Sequence, residues 1–94
     1  RLDIIEAAGT AIAEGTGSSV QVDLPAGSTT NRTVRVQARN FTGIVPITVI
    51  VIPENRPATR YNAQIDMSGG NPSVVTVNVG VPDGTISRIQ TWTR

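Results

Sequence analysis

Ile44-Val45-Pro46-Ile47-Thr48-Val49-Ile50-Val51-Ile52 is the stretch on which the fold turns. Eight of these nine residues are apolar or proline, so as a strand they put apolar groups on both faces. Val45, Ile47, Val49 and Val51 form one unbroken β-branched row, suited to a sandwich interior. Ile44, Pro46, Thr48, Ile50 and Ile52 form the other row, interrupted by a hydroxyl and a proline. A strand apolar on both faces has to be covered twice, once by its own core and once by something else. Pro46 has no N–H for a ladder, so the strand is expected at an edge, at a bulge, or with Pro46 at its start.

Three covers compete for the outer row. One is internal: the N-terminal segment, through Leu2, Ile4 and Ile5, or Trp92, folds across it. The second is another copy of the chain, and the third an unrelated protein. At a sheet edge, two apolar faces and unpaired backbone groups would be a template for strand addition. Burying Ile50 and Ile52 would contribute roughly 1.5–3 kcal/mol each, a large share of the stability of a small domain.

Working outward, the other segments alternate with period two. Val20, Val22 and Leu24 share one face against Ser19, Gln21 and Asp23; Val34, Val36 and Ala38 oppose Arg35, Gln37 and Arg39. Tyr61, Ala63 and Ile65 alternate with Arg60, Asn62, Gln64 and Asp66, and Val75, Val77, Val79 and Val81 with Val74, Thr76 and Asn78. Turn signals recur about every ten residues, as in an all-β sandwich or barrel: Gly15–Gly17, Pro25–Ser28, Asn40–Gly43, Pro53–Pro57, Ser68–Pro72 and Pro82–Gly84. Pro82-Asp83-Gly84 reads as a tight hairpin into the segment Thr85–Thr93. The opening segment reads best as a strand pair broken near Gly9. A short helix with Ile5, Ala8 and Ile12 on one stripe is the competing form, weakened by Gly9 and Thr10.

Ninety-four residues make one domain with one modest core, and 38% apolar with 16% charged residues is ordinary globular composition. The net charge of +1 draws in neither nucleic acid nor anionic lipid, and the longest apolar run falls well short of the roughly 20 residues of a membrane helix. The chain opens on Arg1 with no signal-peptide pattern, which reads as a processed or excised piece. It contains no Cys, no His and no Lys; all eight cations are arginines. Disulfides, thiolate or imidazole metal sites, His general bases and Lys chemistry are therefore excluded.

What remains is thin. Asp3, Glu6, Glu14, Asp23, Glu54, Asp66 and Asp83 are scattered at turns and outward positions, as solvated surface charge is, rather than as the paired carboxylates of a hydrolase. Calcium would have only Asp66 with Ser68 and Asn71, or Asp83, so no metal or cofactor is expected. Arg35, Arg39 and Arg88 could line one basic face, but pairing with Asp23 or Asp66 is the plainer expectation. Asn31-Arg32-Thr33 and Asn40-Phe41-Thr42 match the N-glycosylation pattern at expected turns.

The segments 34–40, 45–55 and 71–77, closing on Thr91-Trp92-Thr93-Arg94, resemble immunoglobulin-like modules of large bacterial secreted or cell-surface proteins. The resemblance covers roughly residues 18–94 and transfers no functional residue. It implies an immunoglobulin-like β-sandwich of seven to eight strands over residues 16–94, with residues 1–15 as an exchanged or covering strand. The expected role is a non-enzymatic extracellular structural or assembly module: a homo-oligomer, a polymer such as a fibre or surface layer built by β-strand complementation, or one module of a larger surface protein. The alternative is a carbohydrate- or protein-binding adhesion module that uses Trp92.

Overall fold

A computed structural model describes residues 1–7, 10–14, 19–24, 33–79 and 86–93. Period-two patterning becomes eight strands among them: β1 (Leu2–Ala7), β2 (Thr10–Glu14), β3 (Ser19–Asp23), β4 (Thr33–Ala38), β5 (Ile44–Pro53), β6 (Thr59–Asp66), β7 (Ser73–Asn78) and β8 (Ile86–Thr93). No helix occurs among the described residues. The strands form two antiparallel sheets, β2-β1-β4-β7 and β3-β8-β5-β6, which share one core as a sandwich.

The inward rows are those the alternation marks. Val34, Val36 and Ala38 of β4 and Val77 of β7 face Val45, Ile47, Val49 and Val51 of β5, with Val20 and Val22 of β3 and Ile86 and Ile89 of β8 completing the core. Each such side chain contributes on the order of 1.5–3 kcal/mol when fully withdrawn from water. Thr91 is the fully buried polar exception; its Oγ1 donates to the Thr48 carbonyl at 2.9 Å, so the hydroxyl is satisfied.

The opening segment is a strand pair, with Ile4 opposite Glu14 and Ala7 opposite Thr10. A register shift between Ile4 and Glu6 places Ile5 in a bulge. Leu2 and Ile4 are fully buried in the shared core, contributed by the first sheet. They therefore do not cover the outer row of β5, which belongs to the opposite sheet. Its removal would open the core rather than bare that outer row.

Strand β5 is not an edge. It runs between β8 and β6 and carries both. β6 pairs with it from Ile44 to Val51, whereas β8 pairs only from Ile47 onward. Pro46 thus stands ahead of the first residue that β8 reaches, and the donorless residue is carried where one flank is open.

The β4–β5 connection uses Asn40 (φ 61°) and Gly43 (φ 74°) in the left-handed region, where Asn and Gly are tolerated. Its shape is held from the next crossing. The Asn40 N–H donates to Asn71 Oδ1 at 3.0 Å, and the Met67 N–H donates to the Gly43 carbonyl at 2.8 Å. The turns expected at Gly15–Gly17, Pro25–Ser28 and Pro82–Gly84 lie outside the described residues, as do Gly9 and Val81.

Candidate interaction surface

The outer face of the second sheet is built in cross-strand rungs. Register places Ser19, Trp92, Thr48 and Asn62 in one rung, and Gln21, Gln90, Ile50 and Arg60 in the next. Asp23, Arg88 and Ile52 make a third. Toward the start of β5, Pro46 faces Gln64 and Ile44 faces Asp66. Ile44, Pro46, Thr48, Ile50, Ile52 and Trp92 therefore do share one surface. Leu2 and Ile4 lie in the core, and Ile5 is half-buried at its bulge in the other sheet.

Burial along this strip follows lateral neighbours. Thr48 is only 3% exposed although it points away from the core, because Trp92 and Asn62 flank it directly. Ile50 and Ile52 are half-buried, Ile50 between Gln90 and Arg60 in its rung and Ile52 beside Arg88. Ile44 is 60% exposed and Pro46 is exposed, at the end where β8 gives no flank. The second cover demanded by the outer row is thus largely supplied within the sheet, and only its start is left bare.

The two halves of the face differ in chemistry. On the β3–β8 side, Arg88 Nε donates to Asp23 Oδ1 at 2.7 Å, and Gln90 Nε2 donates to Gln21 Oε1 at 2.7 Å. On the β5–β6 side, the only cross-strand side-chain bond between described residues is long, from Thr48 Oγ1 to Asn62 Oδ1 at 3.5 Å. An open cavity of about 340 Å³, lined by Asp23, Ile52, Ser87 and Arg88, sits at the far end of the strip. It lies at the irregularity between Ile52 and Pro53, which alternation alone does not signal.

The oxygens considered for calcium are otherwise engaged. Asp66 Oδ1 accepts from Ser68 Oγ at 2.7 Å and from the Ser68 N–H at 2.9 Å. These bonds, the hydroxyl foremost, hold the Asp66 carboxyl below the ordinary carboxylate range. Asn71 Oδ1 serves Asn40 instead, and Asp83 lies outside the described residues. No group of three acidic, His or Cys side chains suited to a metal gathers among the described residues.

Arg35 and Arg39 belong to β4 and the residue after it, in the first sheet, whereas Arg88 is on β8 in the second, so they do not form one basic face. Arg88 pairs with Asp23, as expected. Arg39 lies 3.9 Å from the buried Asp3, which Arg1 also engages at 3.1 Å. Asn40 and Thr42 are exposed on the β4–β5 connection; Asn31 lies outside the described residues. Missed by sequence reasoning is the outward row of β6 (Arg60, Asn62, Gln64, Asp66), which lies beside an apolar rather than a polar neighbour. The even spacing of Arg60 and Asp66 about Ala63 is visible in the sequence, but the strand beside them is not.

No helix among the described residues is long and apolar enough to cross a membrane. No protein-family model, curated protein or solved structure matches the chain.

Proposed function

We propose that this chain is a non-enzymatic, immunoglobulin-like structural module of the extracellular space or cell surface, working through contacts with further copies or with other modules of a surface protein. The observation that carries the reading is the outer face of the second sheet. There the apolar strip of β5, bare at Ile44 and Pro46, lies beside an outward polar row on β6 that finds almost no partner on that strip. A sequence without His, Cys or Lys has little other chemistry to offer. The extracellular assignment and the immunoglobulin-like connectivity rest on the sequence resemblance. Light scattering over a concentration series, with electron microscopy of the same samples, tests the assembly role. Discrete oligomers or polymers are expected, and a monomer throughout that also recruits no other module would reject it.

A second reading has its own observation. Trp92 is half-buried on the same face, directly opposite Ser19 and Thr48 and one rung from the amides of Gln21 and Gln90. An indole edged by uncharged amides suits a sugar ring. Glycan-array binding that disappears with Trp92→Ala would establish this adhesion role, and a blank array would remove it.

A further inference from the structure

Strand β6 is an edge of the second sheet, bonded to β5 on one side and, among the described residues, to no strand on the other. Its outward side chains, Arg60, Asn62, Gln64 and Asp66, are all exposed. Their cross-strand neighbours on β5 are Ile50, Thr48, Pro46 and Ile44, so neither charge meets an opposite charge there. Neither Arg60 nor Asp66 forms an ion pair with another described residue. On the inward side, Tyr61 and Ala63 are half-buried, as is Val75 on β7, so the rim of the core is open along this flank.

The strand is self-complementary when reversed. Arg60 and Asp66 stand three residues either side of Ala63; Tyr61 and Ile65 stand two either side, and Asn62 and Gln64 one. Antiparallel pairing of two copies about a twofold axis at Ala63 sets Arg60 opposite the partner's Asp66, Asn62 opposite the partner's Gln64 and Tyr61 opposite the partner's Ile65. Both members of every pair lie on the same face of the sheet, as the pleat requires. The symmetry makes each ion pair twice.

The other edges with described side chains do not match this. β3 has one charge, Asp23, already tied to Arg88, and pairing about Gln21 would set Asp23 against a serine. β7 carries no charge to fix a register.

We propose that the chain self-associates through β6, a second copy adding its own β6 antiparallel so that two four-stranded sheets become one continuous sheet. This deepens the assembly reading and rests on it. The interface is isologous, so it closes at a dimer. It also covers the flank where Tyr61 and Ala63 are half-buried.

Sedimentation equilibrium over a concentration series tests it, with thermal melts to verify that each variant is folded. The native chain is expected to dimerise. Arg60→Glu faces a carboxylate with the partner's Asp66, and Asp66→Arg faces two guanidinium groups. Each alone should weaken the dimer about tenfold or more. An equimolar mixture of the two variants restores opposite charges at both sites and should recover dimers. Should Asp66→Arg lose its fold with the Ser68 bonds, Ala63→Cys gives an independent reading. In a chain without other cysteines it should cross-link on oxidation, and Ser19→Cys should not.

A monomer at all concentrations, an open-ended polymer, or a dimer indifferent to Arg60→Glu would overturn the proposal. Association lost with Ile44→Asp but unchanged by Arg60→Glu would overturn it while leaving the assembly reading intact.

Discussion

The two edges of the second sheet, β3 and β6, meet the same problem with different neighbours. β3 is five residues long, and its outward Gln21 and Asp23 bond to Gln90 and Arg88 on β8. β6 is eight residues long, and its outward Arg60 and Asp66 lie beside Ile50 and Ile44 on β5. The difference originates in β5. An outer row apolar but for Thr48 gives the adjacent polar row only the long Thr48–Asn62 bond, so the strand that looks anomalous by itself is what leaves Arg60 and Asp66 of β6 unpaired for a partner. β3 is short and tied back, which is how an edge is closed to strangers.

The largest effect should come from the strand that carries both edges, on one side directly and on the other through β8. Ile47→Ala removes a fully buried side chain and should cost about 2–5 kcal/mol in denaturant unfolding. Both edges should lose protection together; loss at one edge alone would mean that β5 is not their common support.

Next is the contrast between two arginines. Arg88→Ala should reduce folding stability by at most about 1 kcal/mol, since its pair with Asp23 is partly exposed. Arg60→Ala should leave monomer stability within about 0.5 kcal/mol, because no intramolecular ion pair between described residues is lost. Equal losses on urea unfolding would erase the difference between the edges.

Ile50→Glu would sharpen it by placing a carboxylate directly opposite Arg60 within the chain. A change of less than about 1 kcal/mol in folding, with self-association weakened severalfold, is expected from unfolding and sedimentation measured on the same variant.

The smallest effect concerns Asp66. Its carboxyl is held low by Ser68, so the stabilisation it provides is present above the ordinary carboxylate range and is lost as pH falls through the lower folded value. Ser68→Ala should move the Asp66 titration back up toward the ordinary range in an NMR pH series. An unmoved titration would mean that the hydroxyl bond is not the cause.

Much of this was legible from period two. It separated the buried row Val45–Val51 from the outer row, placed Tyr61, Ala63 and Ile65 on the inward side, and made the opening segment a strand pair. Alternation reports which face a residue occupies; it does not report which strand lies beside it. Hence alternation alone asks a further layer for the outer row of β5, although lateral neighbours in its own sheet cover part of it, as Trp92 and Asn62 do for Thr48. Leu2 and Ile4, apolar near the chain start, were equally compatible with either sheet until their pairing with Ala38 and Val36 placed them in the first. The open flank of β6 was illegible for the same reason, since it depends on β5 being central and on the row that β5 presents sideways.

Hydrogen–deuterium exchange at low and high protein concentration tests this account most directly, read strand by strand in the native chain. Amides of β6, residues Thr59–Asp66, should gain protection as concentration rises, while those of β3, residues Ser19–Asp23, should not change. Exchange in β6 that is independent of concentration, or a gain confined to β3, would contradict it.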